Sequence, residues 1–353
     1  MGVGKVATIS GIGIAALSGL AWALKRFLKS RDYDDLDSVV SFSSRLVAGM
    51  RAYEGKEKEP LVFDPLAELL AGRRGMQAAS TTMQHYEDAA DKEAVASKAN
   101  RKFLVGRVAL RTLFMDDHLL AGCKTGARQV VLLGAGMDSR AWRLDLPEGT
   151  SWFEIDRTDV LNAKRKVLTK AQASFSADTN KGAKYPLRAA TYTTCDVDLG
   201  SEGWTKRLIA AGFDPNVPTV WIAEGLFMYL SEAAVTALLK EARSVSPKHS
   251  RFLIMAFTSE DVVKWYQESA TQTSVAWVKE LAVTFKSSFP LDSKPYLEER
   301  GWHVASVEFY SDLADKYAHG LPWTSAPGLI VKLGLKDNGK FDTNTAFIDA
   351  VPF

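Results

Sequence analysis

From Ala127 onward the chain keeps returning to one pattern: a short apolar run, a turn, then a helical stretch. Gln129–Leu133 reads QVVLL, too short for a helix and typical of a strand buried on both faces. Comparable runs at Ser151–Ile155, Ala189–Thr194, Thr219–Ala223, Phe252–Phe257, His303–Glu308 and Gly328–Leu333 bring the expected strands to seven. Helical stretches at Val160–Ala173, Trp204–Ala211 and Ala233–Val245 separate several of them. Such alternation predicts an α/β fold, a mainly parallel sheet with helices on both faces. Ser259–Phe289 reads as a helical insertion between the fifth and sixth strands.

Ahead of the alternation the texture is helical. Val39–Tyr53, Pro65–Leu70 and about Lys92–Leu120 carry apolar residues at helical spacing, among them Phe103, Val108, Leu110, Phe114 and Leu119. Residues 32–127 are therefore expected to form a helical cap on a sheet domain covering 128–353, with Glu54–Pro60 a charged surface loop. Residues 1–31 are a separate object. Val6–Leu24 is uncharged, and at 1.5 Å per residue a helix of that length spans roughly 28 Å, close to a bilayer core. Lys25, Arg26, Lys29 and Arg31 follow it, which would keep the folded part on the cytoplasmic side of a membrane. The expectation is a membrane-associated protein anchored through residues 6–24. The alternatives are a cleaved or organelle-targeting segment, or a hydrophobic helix packed on a cytoplasmic domain.

Composition excludes several classes. Of 353 residues 46% are hydrophobic, enough for a large core and against intrinsic disorder. Lys and Arg total 44 against 42 Asp and Glu, with no basic stripe, so no nucleic-acid partner is expected. Cys123 and Cys195 belong to no Cys/His cluster, and neither a disulfide framework nor a metal site is expected. Zinc-protease, P-loop, nucleophile-elbow and EF-hand patterns are absent. Nothing in the sequence sets an oligomeric state.

In an open parallel sheet the ligand lies beyond the carboxyl ends of the strands. After the first strand come Gly134-Ala135-Gly136, which permit a tight turn and close approach to backbone. Ser139 stands where a dinucleotide fingerprint has Gly or Ala. Asp156 lies twenty residues past Gly136, where a carboxylate accepts from both hydroxyls of an adenosine ribose; its ordinary reading is a helix cap. Asp198 and Leu199 follow the third strand and suit an adenine amine and ring, or a solvated loop. Glu224 follows the fourth strand between apolar segments, and a buried carboxylate needs a cation. The ammonium tail of S-adenosylmethionine (SAM) supplies one, whereas nicotinamide phosphates do not. An NAD-dependent oxidoreductase on a similar sheet is the rival.

These residues resemble the leucine carboxyl methyltransferase-like family of SAM-dependent methyltransferases, its bacterial small-molecule branch included. The matching segments are Arg51–Glu54, Phe63–Ala67, Arg111–Asp116, Leu133–Leu144, Phe153–Asp156, Asp198-Leu199 and Ala223–Leu230, in order. The resemblance implies a Rossmann-like, mainly parallel seven-stranded sheet and SAM as cofactor. It implies that Arg111 clamps the methionine carboxylate, Gly134 and Gly136 form the turn beneath it, and Asp156 holds the ribose. Asp198 and Leu199 would then hold the adenine and Glu224 the methionyl amine, with Arg51 a looser basic contact. The branch directed at phosphatase C-terminal leucines has a Cys after the glutamate and lacks Arg140. Gly225 and Arg140 here weigh against that protein substrate, which stays the alternative acceptor.

The expected reaction is O-methylation of a carboxylate or hydroxyl on a small molecule. A carboxylate is ionised at neutral pH and needs no general base, whereas a hydroxyl needs one. No base stands out, because His85 and His118 read as structural. A catalytic residue is therefore left unassigned.

Overall fold

The computed structural model describes residues 36, 38–89, 94–272, 276–318 and 344–353. Three helices open the fold. Helix α1 (Val39–Glu54) is capped by Ser38, whose Oγ accepts from Ser41 N at 3.0 Å. Helix α2 (Ala67–Ala89) breaks at Gly72, and Arg45 of α1 is buried against it, donating through Nη1 to Leu70 O at 2.9 Å. Helix α3 (Ala94–Lys124) buries Leu110, Phe114, Met115, Leu119 and Cys123 against the sheet domain.

The strands are β1 (Gln129–Leu133), β2 (Ser151–Asp156), β3 (Thr191–Asp196), β4 (Thr219–Ala223), β5 (Arg251–Phe257), β6 (Trp302–Phe309) and β7 (Thr345–Pro352). They form one seven-stranded sheet in the order β3-β2-β1-β4-β5-β7-β6. The first five run parallel, and β7 lies antiparallel between β5 and β6. Helices α4 (Arg140–Arg143), α5 (Thr158–Lys170), α6 (Trp204–Ala210) and α7 (Glu232–Ser244) connect the parallel strands. After β5 come α8 (Glu260–Gln272), α9 (Ala276–Ala282) and α10 (Ser293–Glu298), and α11 (Tyr310–Tyr317) follows β6.

Side chains alternate across a strand, so a sheet buried on both faces needs two cores. Val130 and Leu132 of β1 join the core under α3, while Val131 and Leu133 join the one built with Trp204, Trp221 and Phe252. The strand order reverses between β1 and β4, which opens a crevice at their carboxyl ends.

Two sequence expectations are corrected. The seventh strand of the sheet is Thr345–Pro352; Gly328–Leu333, where the sequence placed a strand, lies outside the described residues. Its apolar run is interrupted by Asp349, buried at 2% exposure and accepting a 2.8 Å hydrogen bond from His118 Nδ1 and an ion pair from Arg251 at 3.2 Å. A paired acid in mid-strand disguised the strand. Membrane association is the other correction: no helix among the described residues is long and apolar enough to cross a membrane. Residues 6–24, on which the hydrophobic helix was expected, lie outside the described residues.

One buried ion pair fixes β2 beneath α5. Lys164 Nζ donates to both Glu154 oxygens at 2.7 and 2.6 Å, with both side chains within 1% of full burial, and Tyr192 donates to Glu154 at 2.8 Å. Lys164→Met strands a carboxylate and is expected to cost about 3 kcal/mol in urea unfolding. Adding Glu154→Gln to that variant should recover part of the loss, and a single variant as stable as the parent would contradict this.

Candidate active site

The turn after β1 carries the first half of the site. Gly134 and Gly136 have φ of 71° and 50°, and a Cβ at Gly136 would sit 2.9 Å from Ser44 Cβ on α1. The turn aims Gly136 N at Asp156 Oδ2 (2.7 Å), and Arg157 N donates to Oδ1 at 2.7 Å. The Asp156 carboxylate is thus held flat by two backbone amides, each oxygen keeping a second lone pair for a ligand. Burial pushes its pKa up, the two amides pull it down, and the balance lies above the ordinary value. Asp198 is exposed after β3, accepting from Gly200 N at 2.9 Å, and Leu199 beside it is buried.

The second half is ionic. Glu224, just past β4, accepts from Arg111 Nε at 2.7 Å and from Arg140 Nη2 at 2.9 Å. The Arg140 side chain is 2% exposed and also binds Asp116 at 2.6 Å and Asp138. Arg143 forks onto Asp116 at 2.6 and 2.9 Å. Burial pushes Glu224 up, but the guanidinium groups of Arg140 and Arg111 outweigh it and hold the carboxyl below its usual range. Asp138 behaves likewise, with Arg140 as the dominant counter-charge to burial. Arg140 itself is raised despite burial, by Asp138, Glu224 and Asp116.

Except for Asp116 and Arg143, which lie behind Arg140, these groups face one cavity of about 920 Å³ at the carboxyl ends of the strands. Arg111, Gly134, Gly136, Asp156, Asp198, Leu199 and Glu224 all line it. The cation that Glu224 was expected to need is supplied by the protein's own Arg111 and Arg140. Arg111 uses only Nε for this, and its terminal nitrogens have no hydrogen-bond partner among the described residues. Arg51 lines the cavity but is also a strut, since Nε pairs with Asp64 at 2.9 Å and Nη2 donates to Met137 O at 2.6 Å. Asp64 also accepts from Ser139 Oγ at 2.6 Å, so the residue that breaks the dinucleotide fingerprint braces the glycine turn.

His118 is not on the cavity; it bonds Asp349 and stacks on Phe114 at 4.2 Å. The side chain of His85 lies outside the described residues. The sequence alone gives Asp116, Asp138 and Arg143 no role and marks Arg140 only as a sign of the family branch. The available signal was three charges within six residues of an otherwise buried turn, plus an acid on the helix bearing Arg111. No group of residues able to hold a metal ion occurs among the described residues.

The arrangement fits SAM: a guanidinium for a carboxylate, acids for an ammonium and a ribose diol, and a side-chain-free turn. A leucine carboxyl methyltransferase family model matches residues 44–243. A provisionally named SAM-dependent methyltransferase of Streptomyces avermitilis is 36% identical over 80% of this chain and 88% of its own. One from Frankia alni is 36% identical over 78% and 86%. A solved methyltransferase structure from Thermobifida fusca superposes with TM-score 0.46 at 10% identity, covering 88% of this chain and 94% of that one. The chain belongs to the leucine carboxyl methyltransferase family and is a SAM-dependent methyltransferase.

Proposed function

We propose that the chain is an O-methyltransferase acting on a small molecule, with a carboxylate favoured over a hydroxyl as the accepting group. One observation carries this: among the described residues, the side of the cavity left for an acceptor presents no imidazole, thiol or carboxylate to take a proton, since Asp156 and Asp198 stand on the donor side. No His or Cys lines it among the described residues. Asp138 and Glu224 are locked to Arg140. Burial pushes the Tyr229 phenol above its ordinary value, which makes it unsuited to be a base. A carboxylate oxygen attacks as it is.

Bound SAM supplies an electrophilic methyl group on a sulfonium. In this reading the terminal nitrogens of Arg111 take the donor's carboxylate, Glu224 its ammonium, Asp156 the ribose, and Asp198 with Leu199 the adenine. Arg140 fixes Glu224. The protein's contribution is alignment of the reacting atoms and exclusion of water. Residues 128–353 form the SAM-binding body in this reading, and 32–127 with the 259–289 insertion roof the pocket and set specificity.

Three outcomes are expected. Incubation with methyl-labelled SAM and acceptor should give base-labile ester label, whereas base-stable label would reject the carboxylate. Arg140→Met should weaken S-adenosylhomocysteine at least about tenfold in calorimetry, the worth of a charged hydrogen bond. It should leave 5′-methylthioadenosine, which lacks the amino-acid tail, within about threefold; equal loss of both would reduce Arg140 to a structural role. Lastly, Asp156 has a raised pKa, so it gains its proton before an ordinary carboxyl as pH falls, while Glu224 stays ionised. Affinity for both ligands should therefore fall in parallel as pH drops, starting above the range where an ordinary carboxyl titrates, and a decline confined to S-adenosylhomocysteine would place the titration at the tail instead.

A further inference from the structure

The cavity is divided in charge and texture along the sheet order. Its four acids, Asp138, Asp156, Asp198 and Glu224, all stand at the ends of β1 to β4. The other side is formed by the end of β5, the α8–α9 insertion, the start of α11 and Thr345 of β7. It contributes no acid among the described lining residues. With Tyr229 from the turn after β4, three rings of that side make an aromatic panel: Tyr229 lies tilted 5.5 Å from Phe285, Phe285 meets Phe257 edge-on at 5.3 Å, and Phe257 stacks on Tyr266 at 5.0 Å.

Two cations flank that panel. Arg107 sits one helical turn before Arg111 on α3, with its guanidinium 4.0 Å over the Tyr310 ring. Lys286 is exposed and has no acidic partner among the described residues. The loop bearing it is held in place. Lys286 N donates to Met228 O at 2.7 Å, Ser287 Oγ to Phe227 O at 2.8 Å, and Gln267 Nε2 to Phe285 O at 3.0 Å. The wall is therefore preformed and tied to the turn that follows Glu224.

Resting on the methyl-transfer reading above, we propose that the acceptor is an aryl or aryl-alkyl monocarboxylate. Its flat apolar body lies on the Tyr229–Phe285–Phe257–Tyr266 panel, and its charge is drawn in by Lys286 and Arg107. Rings offer offset stacking to a flat ligand, and a positive rim over an apolar wall favours an anion over its neutral isostere.

The test is calorimetry on the full chain preloaded with S-adenosylhomocysteine, using 4-phenylbutyrate, 4-phenylbutanol and 4-phenylbutylamine as probes and acetate as the bodiless control. The carboxylate should bind at least about tenfold more tightly than the alcohol, and more tightly still than the amine. Lys286→Glu should abolish that order, Phe285→Ala should weaken all three probes, and neither should alter S-adenosylhomocysteine affinity. Tighter binding of the alcohol or amine overturns the proposal. So does acetate matching 4-phenylbutyrate, an unchanged order in Lys286→Glu, or no probe binding to loaded protein. Failure of the unmutated chain to bind S-adenosylhomocysteine at all would strike the cofactor reading instead, and with it the acceptor.

Discussion

A guanidinium cannot shed its charge inside a protein, so a buried arginine dictates what surrounds it. Arg140 meets that demand with three carboxylates, one local and two from elsewhere in the chain: Asp138 in its own turn after β1, Asp116 on α3, and Glu224 beyond β4. The cap helix, the glycine turn and the crevice edge are thereby fixed to one another. Apolar side chains of equal volume often serve stability as well as a buried ionic cluster does. They cannot hold a carboxylate at a set angle beside a cavity, and that service is what the cluster contributes. Arg111 rides on the same helix as Asp116, so its position depends on the same contacts.

The fold divides its labour. Residues after β1, β2, β3 and β4 present charge and backbone amides suited to one common donor. The insertion after β5 presents two rings, a threonine and a lysine to the cavity, which in the proposed reading choose what receives the methyl group. Function resides in sites carried on a scaffold, and in the proposed reading the acceptor side is built from the segment that interrupts the strand–helix alternation.

Much of this was legible in the sequence. The central parallel strands β1, β4 and β5 announce themselves because burial on both faces demands continuous apolar runs, and six of the seven candidate residues fall at or just past strand ends, the seventh, Arg111, riding on α3. Three things escaped. Asp349 broke the pattern of β7, because an acid satisfied by His118 and Arg251 reads as surface until its partners are known. The two guanidinium partners of Glu224 went unread, because they lie 84 and 113 residues away. Ser139 was read only as a departure from a fingerprint, and its bond to Asp64 depends on a cap whose packing no local pattern encodes. Period and turn chemistry are local; ion-pair partners are not.

The placement of β7 has a consequence for how the molecule is made. It is the last of the seven strands along the chain, yet it sits inside the sheet, and β6 joins β5 only through it. A ribosome delivers the parallel half and the turn after β4 well before residues 345–352 emerge. Until then β5 presents an open hydrogen-bonding edge and β6 has no neighbour, a state that invites pairing with other nascent chains. Synthesis order thus makes the closing strand a guard against aggregation, and the interval before it arrives is when this protein most needs a chaperone.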